Sequence, residues 1–320
     1  MRIEHRQHHQ VDQKHWDLFI EKAYNGTFYA YSWFLDSVFE DWSVLVDEAF
    51  TMALVLTPSS KFGLHYIKHP PPARYLGLFS SEKLTPEMVD RFLGAIPPKH
   101  VFSQFYLNKY IRSVFPGWHH YFYPIYELDL IQSSEALRKE YSDMIMEWIE
   151  EGENDKWTVR KSQSPNDLVN LWKSEHRRPD IKVEQTCRRI LSRGLQSGSC
   201  EIISVYSPFN NLAACGVFFY FKKNATLLFY TQGRDRFNEL PLSLLLDHYI
   251  ETHSGRDLTL SLEVLSPGER SRNFHKFPIS KGLNTVEVFE NFGFQRMQFP
   301  VIEKSRSKLL KPLFRSDIFS

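Results

Sequence analysis

Cysteine is scarce in this chain of 320 residues: three in all, Cys187, Cys200 and Cys215, with no C-x-x-C pair among them. That excludes a disulfide framework and points to a reducing compartment. No apolar run approaches the roughly 20 residues that a membrane-spanning helix needs. The opening residues, MRIEHRQHHQ, lack the apolar centre of a secretory signal. The expectation is a soluble, cytoplasmic protein without a membrane span. An excess of one charge is missing too. Lys and Arg number 39 against 38 Asp and Glu, a net charge of +1, which excludes a globally basic nucleic-acid binder and leaves only local patches. Also absent are a G-x-S-x-G elbow, a G-x-x-x-x-G-K-[ST] loop and H-E-x-x-H, so hydrolase, nucleoside triphosphatase and zinc-enzyme readings have no support. No metal site is expected. His5, His8, His9 and His15 read as a polar N-terminus, because no carboxylate or cysteine cluster accompanies them.

What the chain does have is aromatic bulk, with 26 Phe, 15 Tyr and 7 Trp, enough apolar surface for substantial cores, in one large domain or two of ordinary size. Arg2 to Gln7 could form a short edge strand. In DQKHWDLFIEKAYNG, Trp16, Phe19, Ile20 and Ala23 fall at helical spacing and Gly26 follows as a stop. YSWFLDSVF gives a second, shorter helix. Strands are expected at WSVLVD, FTMALVLT and FGLHYIKH, joined by hairpin-length links and ended by His69-Pro70-Pro71-Pro72. Thr85 and Pro86 start a helix, and HVFSQFYLN and YFYPIYELDL are two further strands.

The second half repeats that order. Ser133 or Ser134 caps a long helix, EALRKEYSDMIMEWIEEG, that Gly152 ends. An edge strand WTVRKS leads to one helix from Pro165 and another, VEQTCRRILSRG, with Val183, Cys187, Ile190 and Leu191 on one face. Three apolar runs, CEIISVY (200–206), LAACGVFFYFKK (212–223) and ATLLFYT (225–231), read as an antiparallel meander turning at Asn210-Asn211 and Lys223-Asn224. A polar loop, QGRDRFN, precedes the helix LPLSLLLDHYIETH, closed by Ser254-Gly255. A strand (257–265), a helix (284–293) and a strand (294–299) complete the order. The fold class expected is α+β (mixed α/β), in two lobes of residues 1–130 and 131–320.

The order strand, two helices, three antiparallel strands, helix, strand, helix, strand resembles the GNAT acyltransferase fold, and two copies resemble the FemAB-type aminoacyl-transferases. HWDLFIEKAYNGTFYAYSWFLDSV, DWSVLVD and RYLGLFS are similar to the opening of FemAB-like proteins, and Glu263 followed by VEVFENFGF to their ending. The resemblance implies two tandem GNAT-like domains, each a mostly antiparallel mixed sheet flanked by helices. It implies transfer of an acyl or aminoacyl group from acyl-CoA or aminoacyl-tRNA to an amine, either a small molecule or a cell-wall precursor. Two departures stand out. SLEVLSPGERS keeps Glu263 but not the D-F-E-G-S-like run of the family, and QGRDRFN has one glycine where acyl-CoA users have a Gly-rich loop. A catalytically inactive ligand- or partner-binding member is the alternative.

Acyl transfer needs a base for the amine, donors for the oxyanion and a proton for the leaving group. Strand amides between Phe229 and Thr231 are the candidate oxyanion donors, Glu263 the candidate base, and Tyr230 or His275 the proton source. Glu263 facing solvent and Tyr230 packing a strand are the plainer readings. Arg234 and Arg236 precede a helix capped by Asn238, a candidate anion site, although Asp235 and Glu239 could pair with them. Arg177, Arg178, Lys182, Arg188, Arg189 and Arg193 form the densest basic region, where tRNA could lie or where a helix face is simply solvated. The basic tail, with Lys304, Arg306, Lys308, Lys311 and Arg315, poses the same choice between an anion-binding arm and a solvated terminus. The oligomeric state is open.

Overall fold

The computed structural model describes every residue except 1, 70–71, 108, 110, 112–113, 176–179, 234–238, 264–284 and 308–320, and gives the backbone alone for 263 and 285–287. The chain divides into two compact units. One holds Met1–Tyr123 and the segment from Gln298; the other holds Pro124–Glu269 and Phe274–Met297.

In the first unit, strand β1 (Ile3–Gln7) is followed by helices α1 (Gln13–Lys22) and α2 (Ser32–Val38). The Asp12 side chain caps α1 by accepting from the His15 amide. Trp16, Phe19, Ile20 and Ala23 are all buried, as their spacing requires. Strands β2 (Ser43–Asp47), β3 (Met52–Leu56), β4 (Pro58–Lys61), β5 (Leu64–Ile67) and β6 (Leu78–Ser80), helix α3 (Pro86–Gly94) and strand β7 (His100–Tyr106) come next. Strand β8 (His119–Asp129) carries the chain into the second unit.

The expected three-stranded meander of this half is redrawn. β1, β2, β3 and β6 form one sheet, whereas β5 leaves β3 and pairs antiparallel with β4 and parallel with β7. Pro58 is the reason. It follows β3 almost at once and lacks the N–H that a continuing interior ladder would use, so the chain turns off into an exposed edge hairpin. Phe62 and Gly63, at φ +52° and +74°, close that hairpin between Lys61 and Leu64. The histidines of the N-terminus pack rather than cluster: His5 Nε2 lies 2.9 Å from Ser43 Oγ, His8 Nε2 3.0 Å from Asp36 Oδ1, and His15 stacks on Phe50. Among the described residues no group of three or more His, Cys, Asp or Glu side chains could hold a metal ion.

The second unit continues with α4 (Ser134–Arg138), α5 (Asp143–Asn154), β9 (Thr158–Ser162), α6 (Pro165–Glu175), α7 (Ile181–Gln196), β10 (Cys200–Tyr206), β11 (Leu212–Phe221), β12 (Asn224–Gln232), α8 (Leu240–His253), β13 (Thr259–Glu263) and α9 (Thr285–Asn291), and β14 (Gln295–Ser305) returns the chain to the first unit. Its strands lie in the order β8-β13-β12-β11-β10-β9. The expected single helix over 135–152 is two. Ser142 caps α5 with its side chain, and its amide donates to the Asn291 carbonyl, so the chain breaks there. Gly152 is not a stop but an interior helical position packed against Leu244. The β11–β12 turn also moves: Phe221 pairs with Asn224, leaving Lys222-Lys223 as the loop, with Lys222 at φ +53°. The last strand, β14, runs on to Ser305, well past the expected 299.

One apolar core joins α5, α8 and α9 to one face of this sheet, with Ile145, Ile149, Phe218, Leu245, Tyr249, Leu260 and Phe292 at its centre. The F-x-x-FG ending is thereby explained. Phe289 and Phe292 are core residues, and Gly293, at φ +81°, turns the chain out of α9 into β14. Among the described residues no helix is long and apolar enough to cross a membrane.

Candidate functional site

The site arises from the way β12 is held. Antiparallel to β11, it pairs Asn224 with Phe221 up to Leu227 with Phe218, then resumes with Phe229 opposite Val217 and ends with Gln232 opposite Ala214. Leu228 is therefore the extra residue of a β-bulge, which bends the strand and re-aims its last four residues. On its other side β12 is parallel to β13, an arrangement that requires the crossover helix α8 between them. The described parallel ladder runs from Asn224–Thr259 to Leu227–Leu262 and stops at the bulge. Phe229, Tyr230, Thr231 and Gln232 run on beyond it, with described ladder partners on the β11 side.

Tyr230 and Thr231 are both buried. Tyr230 packs in the α8-side core, opposite Gly216, and its hydroxyl donates to Gln232 Oε1 at 2.5 Å. Burial, then the neighbouring Cys215 and Glu239, push its phenol well above the ordinary tyrosine range, so it is a protonated donor and not a base. Thr231 lies opposite Cys215 in the ladder. Glu263 is the last residue of β13 and pairs with Ile125 of β8 through the backbone. Arg234, Arg236, Asn238 and His275 lie outside the described residues. Helix α8 starts at Leu240, and its N-cap position is Glu239, without a side-chain cap bond. The helix thus opens one residue later than a cap at Asn238 would have it. Of the expected set, Tyr230 and Thr231 are successive residues of β12 past the bulge, with side chains on opposite faces of the sheet, and the Glu263 backbone lies on the neighbouring strand.

The basic region is partly self-paired. Glu184 receives Lys173 at 3.1 Å and Arg188 at 3.1 Å, and Arg188 also donates to Asn166, while Arg189 donates to Thr186. Arg177 and Arg178 lie outside the described residues. In the tail, Lys304 sits over the Trp118 ring and Arg306 donates to the His100 carbonyl. Lys308, Lys311 and Arg315 lie outside the described residues.

A second titratable group has no counterpart among the residues that the sequence singles out. Glu201, on β10, is buried, and three donors converge on it: Lys161 Nζ at 2.8 Å, His253 Nε2 at 3.1 Å and the Tyr220 hydroxyl. Tyr249 donates to the Tyr220 oxygen at 3.1 Å, and His253 Nδ1 faces the Tyr249 carbonyl at 2.9 Å. Burial alone would raise the Glu201 carboxyl, but the bonds from His253, Lys161 and Tyr220 outweigh it and hold the carboxyl down to about 2. The only trace of this in the sequence is one charged residue inside the apolar run CEIISVY.

Comparison with known proteins turns on the fold. No protein-family model matches the chain, and no curated protein does. The solved structure of FemX superposes with a TM-score of 0.66 at 10% identity, covering 99% of this chain and 100% of that one. The fold is that of the FemAB-like tandem GNAT proteins. L-PGS from Bacillus licheniformis gives 0.59 at 10% identity over 95% of both chains. A tandem GNAT protein from the clavulanic acid biosynthesis pathway gives 0.53 at 10% identity, over 96% of this chain and 99% of its own. Within this FemAB-like fold, the bulged β12, the crossover helix α8 and the parallel neighbour β13 form the part of the second unit where the described β12–β13 ladder ends.

Proposed function

We propose that this protein transfers an acyl or aminoacyl group to an amine, in the second unit, where β12 passes its bulge at Leu228. The observation that carries the reading is the β-bulge at Leu228, which re-aims Phe229 to Gln232 on the strand whose other neighbour is the parallel β13. In this reading the donor is a thioester or ester, either acyl-CoA or aminoacyl-tRNA, and the acceptor a small amine or a cell-wall precursor. The amine nitrogen attacks the carbonyl carbon, and strand amides between Phe229 and Thr231 take the oxyanion. Glu263, directly or through water, accepts the amine proton. A C–N bond forms as the C–S or C–O bond breaks, and the departing thiolate or alkoxide is protonated from Tyr230. Arg234, Arg236 and Asn238, before α8, are proposed to hold an anionic part of the donor, with His275 as a further substrate contact.

A second reading, a non-catalytic binding protein of the same fold, is favoured by one observation: Tyr230 is packed in the core and already bonded to Gln232. Differential scanning fluorimetry against acyl-CoAs and non-hydrolysable aminoacyl-tRNA analogues, followed by turnover assays of any donor that binds, separates the two. A donor that raises the midpoint and is consumed by wild type but not by Glu263→Gln supports transfer. Binding without turnover supports the second reading, and no shift with any donor removes the first.

A further inference from the structure

Two costs fall on one exposed residue of the first unit. Phe62 stands at the tip of the β4–β5 hairpin and is 79% exposed. A single exposed apolar side chain is common and needs no account. This one also sits at φ +52°, the first of the two left-handed positions of the turn, with Gly63 at +74° as the second. Asparagine, aspartate or glycine fills that first position readily, whereas a bulky residue there is an outlier. The tip stands clear of the chain: a Cβ on Gly63 would meet no atom within 4 Å, and Lys61 Nζ lies 5.9 Å from the centre of the Phe62 ring. Backbone strain of this kind gathers at functional sites.

The hairpin carries charge of one sign. From Pro58 to His69 the sequence has Lys61 and Lys68, with His65 and His69, and no Asp or Glu. Ladder register sets two more cations at the same end of the sheet. His65 pairs with His100, the first residue of β7, and the exposed Lys99 directly precedes it. Arg306, also exposed, donates its amide to the Val101 carbonyl and its Nε to that of His100. Half-buried Leu64, Tyr66 and Val101 gather around the buried Phe102, so apolar surface continues from the tip into the strands.

We infer that the β4–β5 hairpin is a docking surface for an anionic lipid bilayer, into which the Phe62 ring inserts while Lys61, Lys99 and Arg306 face the lipid phosphates. Charge complementarity selects this occupant. A bilayer also receives a single protruding ring without a shaped pocket, whereas a folded partner would have to supply one. Binding of this kind grows with the apolar area inserted and with attraction to anionic headgroups. The surface lies within the first unit and is independent of the transfer reading.

Sedimentation of the full chain with lipid vesicles tests it, using an equal mixture of phosphatidylglycerol and phosphatidylcholine against phosphatidylcholine alone. Wild type should bind the anionic vesicles and not the neutral ones. Binding should weaken as salt rises from about 0.1 to about 1 M, where the Debye length shrinks from about 10 to about 3 Å. Phe62→Asn suits the turn, so it should melt at or above wild type and yet bind the anionic vesicles about tenfold more weakly. Lys61→Gln combined with Lys99→Gln should weaken binding and flatten its salt dependence. A single-stranded oligonucleotide is the comparison probe, because its phosphates and bases offer the same kinds of contact. No binding to anionic vesicles, binding indifferent to lipid charge, or wild-type binding by either variant would overturn the inference. So would a Phe62-dependent affinity for the oligonucleotide alone. A Phe62→Asn protein that melts well below wild type would overturn it as well, since the ring would then belong to the fold.

Discussion

Lys161 Nζ lies 2.8 Å from Glu201 Oε2, joining the edge strand β9 to a carboxylate that is itself buried. The lysine is half in solvent, whereas the carboxylate depends on it, on His253 and on Tyr220 to remain ionised. Removing the charge leaves those donors facing a weaker acceptor in a water-poor place. Glu201→Gln should cost about 2–4 kcal/mol at neutral pH, near the lower end for a broken buried pair because Lys161 can turn to water. The carboxyl is held at about 2, below its ordinary 4.5, so its contribution is fully present above the ordinary value and is lost as pH falls from 4.5 toward 2. Urea unfolding of wild type and variant should therefore show a gap that is widest at neutral pH and narrows on acidification. A gap independent of pH would mean that the network is not what stabilises the carboxylate.

The three cysteines make a second case for burial over chemistry. Cys187, Cys200 and Cys215 are all buried and unpaired, and burial is the leading cause that raises each thiol, Cys200 and Cys215 to about 12. The thiolate is the reactive form, so the folded protein should resist iodoacetamide in mildly alkaline buffer and take up three adducts once unfolded. Intact mass spectrometry reads this directly. Rapid labelling of the folded chain at any of the three would show that local opening exposes it.

These two cases show what the sequence can and cannot disclose. The meander β10-β11-β12 is legible because its apolar runs are long and Asn210 sits at φ +58°, where asparagine is tolerated. The buried face of α7 is legible because Val183, Cys187, Ile190 and Leu191 recur at helical spacing. The Glu201 network is not, because Tyr220 and Lys161 lie 19 and 40 residues away and meet it only through sheet register. At the candidate site, the polarity of Tyr230 and Thr231 can be read, but the bulge at Leu228 cannot, since it depends on how β11 and β12 pair. The break at Ser142 is hidden by a run of good helix formers, and a bond to the distant Asn291 carbonyl decides it.

Lys222 gives a test of local backbone strain. It occupies φ +53° at the first position of the two-residue β11–β12 turn, a place that glycine fills without a Cβ penalty. Lys222→Gly should stabilise the protein by about 0.5–1 kcal/mol, the relief of the left-handed conformation less the entropy that glycine brings to the unfolded chain. Lys223→Gly, at a neighbour that pairs with Asp257 and has no positive φ, should do the opposite. Equal effects at the two positions would mean that the turn relaxes when Lys222 is released.

Among the described glycines of the second unit, Gly152 has the closest neighbours. A Cβ built on it would lie 2.6 Å from Leu244 Cδ2 and 2.8 Å from Cδ1, closer than side-chain carbons approach. On helix propensity alone, Gly152→Ala inside α5 should stabilise by about 1 kcal/mol. Forcing a methyl into a filled contact costs about 1–3 kcal/mol, so packing wins and the net effect should be a loss of about 1 kcal/mol. Leu244 is buried, and Leu244→Ala alone should cost about 2–5 kcal/mol. In the Gly152→Ala background the same truncation removes a clash as well as a contact, so the double mutant should be more stable than the sum of the singles by about 1–2 kcal/mol. Chemical denaturation of the four proteins measures that coupling. Additivity, with Gly152→Ala stabilising by its full helical propensity, would show that α5 and α8 can part without cost and that glycine at this position serves some other purpose.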